Sequence, residues 1–142
     1  IEVLKNGKDI SIVSYGSTLN LIIDSVSELN ELGIDVEIID IQTLIPFDIS
    51  NDILISVKKT NRIIIVDEDV PGGASAYILH KLIDEQGIFN HLDSPPKTLT
   101  AKDHRPPYGS DGDYFSKPSV DDIVESIYQI MNESNPKKYP LL

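Results

Sequence analysis

Apolar residues along the chain change period repeatedly, and the changes predict alternating strands and helices. Ile10–Ser14 (ISIVS), Val36–Ile41 (VEIIDI), Arg62–Val66 (RIIIV) and Lys97–Ala101 (KTLTA) are short, β-branched and bounded by turn residues, as strands are. The run Ile63–Val66 is wholly apolar, the pattern of a parallel strand covered on both faces. Between the strands the period lengthens. Leu19, Ile22, Val26, Leu29 and Leu32 predict an amphipathic helix after a Ser17-Thr18 hydroxyl cap, stopped by Gly33. A short helix over Ile49–Lys59 carries Ile53, Leu54 and Val57, with Asp48 or Ser50 as its cap. A third runs from Gly73 to about Gln86, with Ala76, Leu79, Leu82 and Ile83 facing inward and Gly87 as its stop. A last helix starts with Pro118 in its first turn and presents Val120, Ile123, Val124, Ile127 and Ile130/Met131 as its stripe. Ile1–Leu4 reads as part of a strand or a linker before the Asn6-Gly7 turn. Strands alternating with helices predict an α/β fold, a three-layer sandwich with a mostly parallel sheet of about five strands. The expected domain is 1–131, with 132–142 as a polar, proline-broken tail. Ile1 is not an initiator methionine, so the segment is expected to be part of a longer chain.

Composition narrows the partners. The chain has 142 residues, enough for a substantial single core. Acidic residues outnumber basic ones 23 to 12, a net charge of −11. Nucleic acids and anionic membranes both require a basic footprint, so neither is expected as a partner. A basic protein surface would suit this charge. The chain has no cysteine, which removes disulfides and thiol chemistry. Without a leader-like segment or long apolar run, the expected location is cytoplasmic.

Three places carry possible chemistry. Ile63–Ala76 (IIIVDEDVPGGASA) ends a strand on Asp67-Glu68-Asp69 and restarts a helix after Gly72-Gly73. In open α/β sheets such strand ends carry the working loops. Glu68 could act as an acid, a base or a cation ligand, or belong to a solvated acidic cluster. Gly72-Gly73 could cradle an anion, or serve a tight turn. The segment has neither a phosphate-loop nor a dinucleotide fingerprint. The long loop 102–117 (KDHRPPYGSDGDYFSK) contains Asp103-His104-Arg105, a set able to orient, shuttle a proton and bind an anion, or to hold the loop by ion pairs. Asp111 and Asp113 resemble a fragment of a calcium loop without its closing acid. His80 and His91 read as surface or packing histidines.

Four stretches together carry a wider resemblance: Ile12–Ser17 (IVSYGS), Val36–Asp48 (VEIIDIQTLIPFD), Ile63–Ala76 and Ala101–Val120. They resemble the C-terminal domain of transketolase-like, thiamine diphosphate-dependent enzymes. The nearest likeness is to the β part of the E1 component of 2-oxo acid dehydrogenases, of the pyruvate and branched-chain types. The loop Asp103-His104-Arg105-Pro106-Pro107-Tyr108 matches the family's loop, with His-Arg-Pro-Pro departing from the usual spacing, and Lys117-Pro118-Ser119 matches the start of its last helix.

The resemblance implies a domain without catalytic, cofactor or metal residues of its own. In the family, thiamine diphosphate and magnesium lie between two other domains of the parent enzyme. The domain would support assembly with the remaining E1 domains or subunits, as a dimer or α2β2, and would help dock the E2 acyltransferase. From charge, and not from a matched motif, its expected interface residues are Glu68, Asp69, Asp103, His104 and Arg105. The parent, a separate β subunit or a fused α–β chain, would be an oxidoreductase of a multienzyme complex, passing an acyl group from a 2-oxo acid to lipoyl-E2. The corresponding domain of a 1-deoxyxylulose-5-phosphate synthase or a transketolase is the alternative enzyme reading. A stand-alone acidic interaction module is the alternative outside enzymes.

Overall fold

A computed structural model describes residues 1–103 and 116–141. Five strands form one sheet: β1 (Glu2–Lys5), β2 (Ile10–Ser14), β3 (Val36–Asp40), β4 (Ile63–Val66) and β5 (Lys97–Leu99). Their order is β1-β3-β2-β4-β5. β3, β2, β4 and β5 run parallel, and β1 closes the β3 edge antiparallel, with Glu2 opposite Asp40 and a register irregularity between Val3 and Lys5. The starting segment is therefore a strand. Its exposed Glu2 and partly exposed Lys5 place charge on an edge that would otherwise invite further pairing.

Helices cover both faces. α1 (Thr18–Glu31) and α4 (Val120–Ser134) lie on one, against Ile10, Ile12, Val36, Ile38, Ile64 and Val66. α2 (Asp52–Thr60) and α3 (Ala74–His80) lie on the other, against Val13, Ile39, Ile63 and Ile65. Successive residues of a strand point to opposite layers, so a sheet covered twice needs apolar residues at every position. Ile63–Val66 meets that demand, and all four are buried. Among the described residues, no helix is long and apolar enough to cross a membrane.

Local signals account for most helix ends. Gly33, at φ +77°, ends α1: its N–H donates to Asn30 O at 3.0 Å, and Ile34 N–H to Leu29 O at 3.0 Å. Those paired bonds, with Leu29 and Ile34 both buried, form a Schellman closure. At the other end Ser17 has helical backbone angles and makes no side-chain cap bond, so the expected hydroxyl cap does not form. α2 begins at Asp52, three residues later than the periodicity predicts. The buried Asp48 carboxylate accepts from Asp52 N at 2.8 Å and Ile53 N at 3.0 Å, so the first turn forms where those N–H groups point. Ser119 caps α4 in a reciprocal box with Asp122. Pro118 is thus one residue outside the cap rather than inside the first turn.

The third helix departs most. α3 ends at His80 and continues as a π-helical stretch, Lys81–Glu85, before Gly87 at φ +67° breaks it. The buried set is Ser75, Ile78 and Leu82, itself an α-helical spacing, while Ala76 is exposed and Leu79 and Ile83 half-buried. Past α4 the chain folds back. Tyr139 is 3% exposed, edge-on to Tyr128, and Asn132 Nδ2 donates to Tyr139 O at 2.7 Å.

A polar network lies under α2. Glu37, 2% exposed on β3, accepts from Gly7 N at 3.2 Å and is bonded to Ser56 and Lys59. Ser11 continues it to Ser56 at 2.5 Å and to Thr60 at 2.7 Å. Gly7 sits so close to β3 that a Cβ there would run into the Val36 carbonyl. Gly7→Ala is therefore expected to force the turn off β3 and lower unfolding free energy by roughly 2 kcal/mol. Urea denaturation measures it, with Gly7→Ala of unchanged midpoint as the contrary result.

Candidate functional site

Chain order and sheet order reverse between β2 and β4. From β2 the chain crosses to β3 on one side, then returns past β2 to β4 on the other. Such a switch point leaves a crevice outside the carboxyl ends of the strands, where open α/β sheets bind ligands. Here it has a volume of about 530 Å³ and is bordered by Ser17, Thr18, Leu21, Glu68, Lys117 and Val120. Loops after β2 and β4 form two walls, and the start of α4 forms the third.

One carboxylate organises this edge. Asp67, wholly buried at the end of β4, accepts from Tyr15 Oη at 2.6 Å, Asp69 N at 3.0 Å and Ser75 N at 2.8 Å. It thus joins the end of β2, its own turn and the first turn of α3. A buried carboxylate without donors would cost several kcal/mol, and three donors remove that penalty. Burial, the hydrogen bond to Asp67 and the neighbouring charges of Asp67, Asp69 and Glu68 push the Tyr15 hydroxyl well above the usual tyrosine range. It remains a neutral donor.

The glycine pair has a structural role. Gly72 takes φ +91°, and a Cβ on Gly73 would collide with the Asp69 carboxylate. The first-turn amide of Ser75 is already bonded to Asp67, so the anion at this helix start is the protein's own side chain.

The expected interface residues separate. Glu68 is exposed on the crevice wall with Lys117 Nζ at 3.8 Å from its Oε2. Asp69 is exposed, with its Oδ1 accepting from Val70 N at 2.8 Å and its carbonyl receiving Ala101 N–H at 2.9 Å. Asp103 is exposed just beyond Ala101. His104 and Arg105 lie outside the described residues, as do Asp111 and Asp113. His80 pairs with Asp84 at 3.0 Å on the surface, and the His91 carbonyl receives Asn61 Nδ2–H at 2.9 Å. Among the described residues no three His, Asp or Glu side chains converge on a common metal position.

Sequence reasoning missed Tyr15 and Lys117. Tyr15 follows β2 directly, and Asp67 occupies the matching place after β4; that symmetry was the available signal. Lys117 comes to Glu68 only through the placement of α4, which no local pattern reveals.

Comparison with known proteins agrees with this architecture. The family model described as "Transketolase, C-terminal domain" matches residues 1–123. The pyruvate dehydrogenase E1 component subunit beta of Rhizobium meliloti is 34% identical over 87% of this chain and 26% of its own length. That of Mesostigma viride is 36% identical over 92% of this chain and 39% of its own. The acetoin:2,6-dichlorophenolindophenol oxidoreductase subunit beta of Bacillus subtilis is 30% identical over 93% and 38%. The chain thus spans about a quarter to two-fifths of these relatives. A solved structure described as "Split gene transketolase, inactive beta4 tetramer" superposes with a TM-score of 0.72 over 94% of this chain and 42% of that one, at 20% identity, a likeness of fold.

The Tyr15–Asp67 bond predicts an alkaline signature. The Tyr15 hydroxyl titrates higher folded than unfolded, so its contribution is complete below the unfolded value of about 10 and declines as pH rises above it. Tyr15→Phe lacks that bond. Its stability deficit against the parent is expected to hold between pH 7 and about 9.5 and to shrink above pH 10. Thermal unfolding followed by circular dichroism tests this; a deficit unchanged to pH 11 would contradict it.

Proposed function

The chain belongs to the transketolase C-terminal domain family, and from that premise we propose that it is the assembly and docking domain of a 2-oxo acid dehydrogenase E1 component. The observation that carries the reading is coverage: E1 β subunits match about nine-tenths of this chain but only a quarter to two-fifths of themselves. The parent would oxidatively decarboxylate a 2-oxo acid, of the pyruvate or branched-chain type, and pass the acyl group to lipoyl-E2. It would act as an α2β2 or dimeric assembly, in the cytoplasm.

In this proposal thiamine diphosphate and magnesium are held by other domains of the parent. A diphosphate needs free N–H groups and cations, and the α3 start already holds Asp67. Among the described residues no three His, Asp or Glu side chains gather where they could hold a metal ion. No step of cofactor chemistry is therefore assigned to them. In this proposal the domain is inactive alone.

What these residues offer is an acidic, hydrogen-bonded edge. Glu68, Asp69 and Asp103 are all exposed on loops at the carboxyl end of the sheet. With His104 and Arg105 beyond them, they would face a basic domain of E2. Exposed complementary charges mainly set encounter rate and salt dependence. The relatives' names include pyruvate and acetoin enzymes, so the substrate is left to the domains that would contact it.

Pull-down of the chain with a basic E2 subunit-binding domain tests docking. Binding is expected at low salt, falling as salt rises, and roughly tenfold weaker for Glu68→Lys/Asp69→Lys. Absence of binding at every salt concentration would overturn the docking role.

A further inference from the structure

The acidic charge is distributed unequally between the two helical layers. α1 and α4 together contain seven acids, Asp24, Glu28, Glu31, Asp121, Asp122, Glu125 and Glu133, and no lysine, arginine or histidine. On the opposite layer α2 and the α3–π segment contain three acids, balanced by Lys58, Lys59 and Lys81. Most of the net charge of −11 therefore resides in one layer. A uniformly acidic solubilising surface would not show this division.

The same layer contains a groove. A cavity of about 390 Å³ runs between α1 and α4, with Leu32, Val124 and Tyr128 along it and Leu141 at its rim. Glu28 borders it from α1 and Glu125 from α4, both exposed. Neither side chain makes a hydrogen bond or ion pair among the described residues. Asp121 borders both this groove and the switch-point crevice. Leu141 is 77% exposed beside it.

We propose that the α1–α4 groove docks a basic amphipathic helix of a protein partner. An apolar strip between two helices accepts a third helix through its i, i+3, i+4 and i+7 positions. Acids on both rims then select lysine or arginine on either side of that apolar stripe, and reject acidic helices. The same charges repel nucleic acid and anionic lipid, which leaves a protein segment as the occupant. The groove residues differ from Glu68 and Asp69, and the inference does not depend on the parent being a dehydrogenase.

The probe is a designed peptide of about 18 residues, with a leucine stripe flanked by lysines. Its control is a scrambled peptide of identical composition, which keeps the charge and destroys the stripe. Fluorescence anisotropy with the 142-residue chain is expected to show binding of the patterned peptide, weakening as salt approaches about 1 M. Glu28→Lys/Glu125→Lys is expected to reduce affinity by roughly tenfold or more. Asp84→Lys/Glu85→Lys makes the same charge change on the opposite layer and is expected to alter affinity less than about twofold. Equal binding of the scrambled peptide, equal loss in both double variants, or no binding would overturn the proposal. Amide shift mapping on the unsubstituted chain gives a readout independent of any variant's folding. Perturbations confined to α1 and α4 support the groove, and perturbations on α2 and α3 overturn it.

Discussion

A carboxylate at the end of a fully buried strand must find donors or destabilise the fold. Asp67 finds three, and each belongs to a different piece of structure: the Tyr15 hydroxyl after β2, the amide of Asp69 in the turn, and the amide of Ser75 in the first turn of α3. The bonds fix the direction in which the chain leaves β4 and the place where α3 starts. They also set the height of the β2 loop against the β4 loop, and hence the shape of the crevice between them. Asp69 depends on the same arrangement, since its carboxylate lies where a side chain on Gly73 would stand.

The sheet was legible because its demands are severe. A parallel strand covered on both faces tolerates few polar residues, so Ile63–Val66 could hardly be anything else. Gly33 was legible because the left-handed backbone of a Schellman closure favours glycine. The errors arose where local pattern competes with tertiary placement. A period of 3.6 fits Ala76, Leu79 and Ile83 as well as Ser75, Ile78 and Leu82, and packing against the sheet buries the second set. Ser17 has the right side chain for a cap and the wrong backbone angles. Tyr139 sits in a sequence of prolines and lysines, and its burial comes from a return onto α4 that no periodicity encodes.

The candidate site was legible as a location and not as an arrangement. Asp67-Glu68-Asp69 marked the right edge of the sheet, yet the sequence could not distinguish the structural acid from the exposed ones. Asp67 faces inward and is spent on backbone and tyrosine donors. Glu68 and Asp69 face outward, Glu68 with the ammonium of Lys117 at 3.8 Å. Their contrast arises because the chain bends away from the sheet directly after Asp67, with Asp69 N–H turning back onto the Asp67 carboxylate. The charge division between helical layers was also written in the sequence, but it became a surface only once α1 and α4 were known to share a face.

The residues at the carboxyl end of this sheet hold the fold through Asp67, and the proposed function assigns the exposed ones to protein contacts and the cofactor chemistry to other domains. Calorimetric titration of thiamine diphosphate with magnesium into the 142-residue chain tests that division most directly. The account predicts only heats of dilution. Saturable binding at a defined stoichiometry, abolished by substitutions around the switch-point crevice, would contradict it.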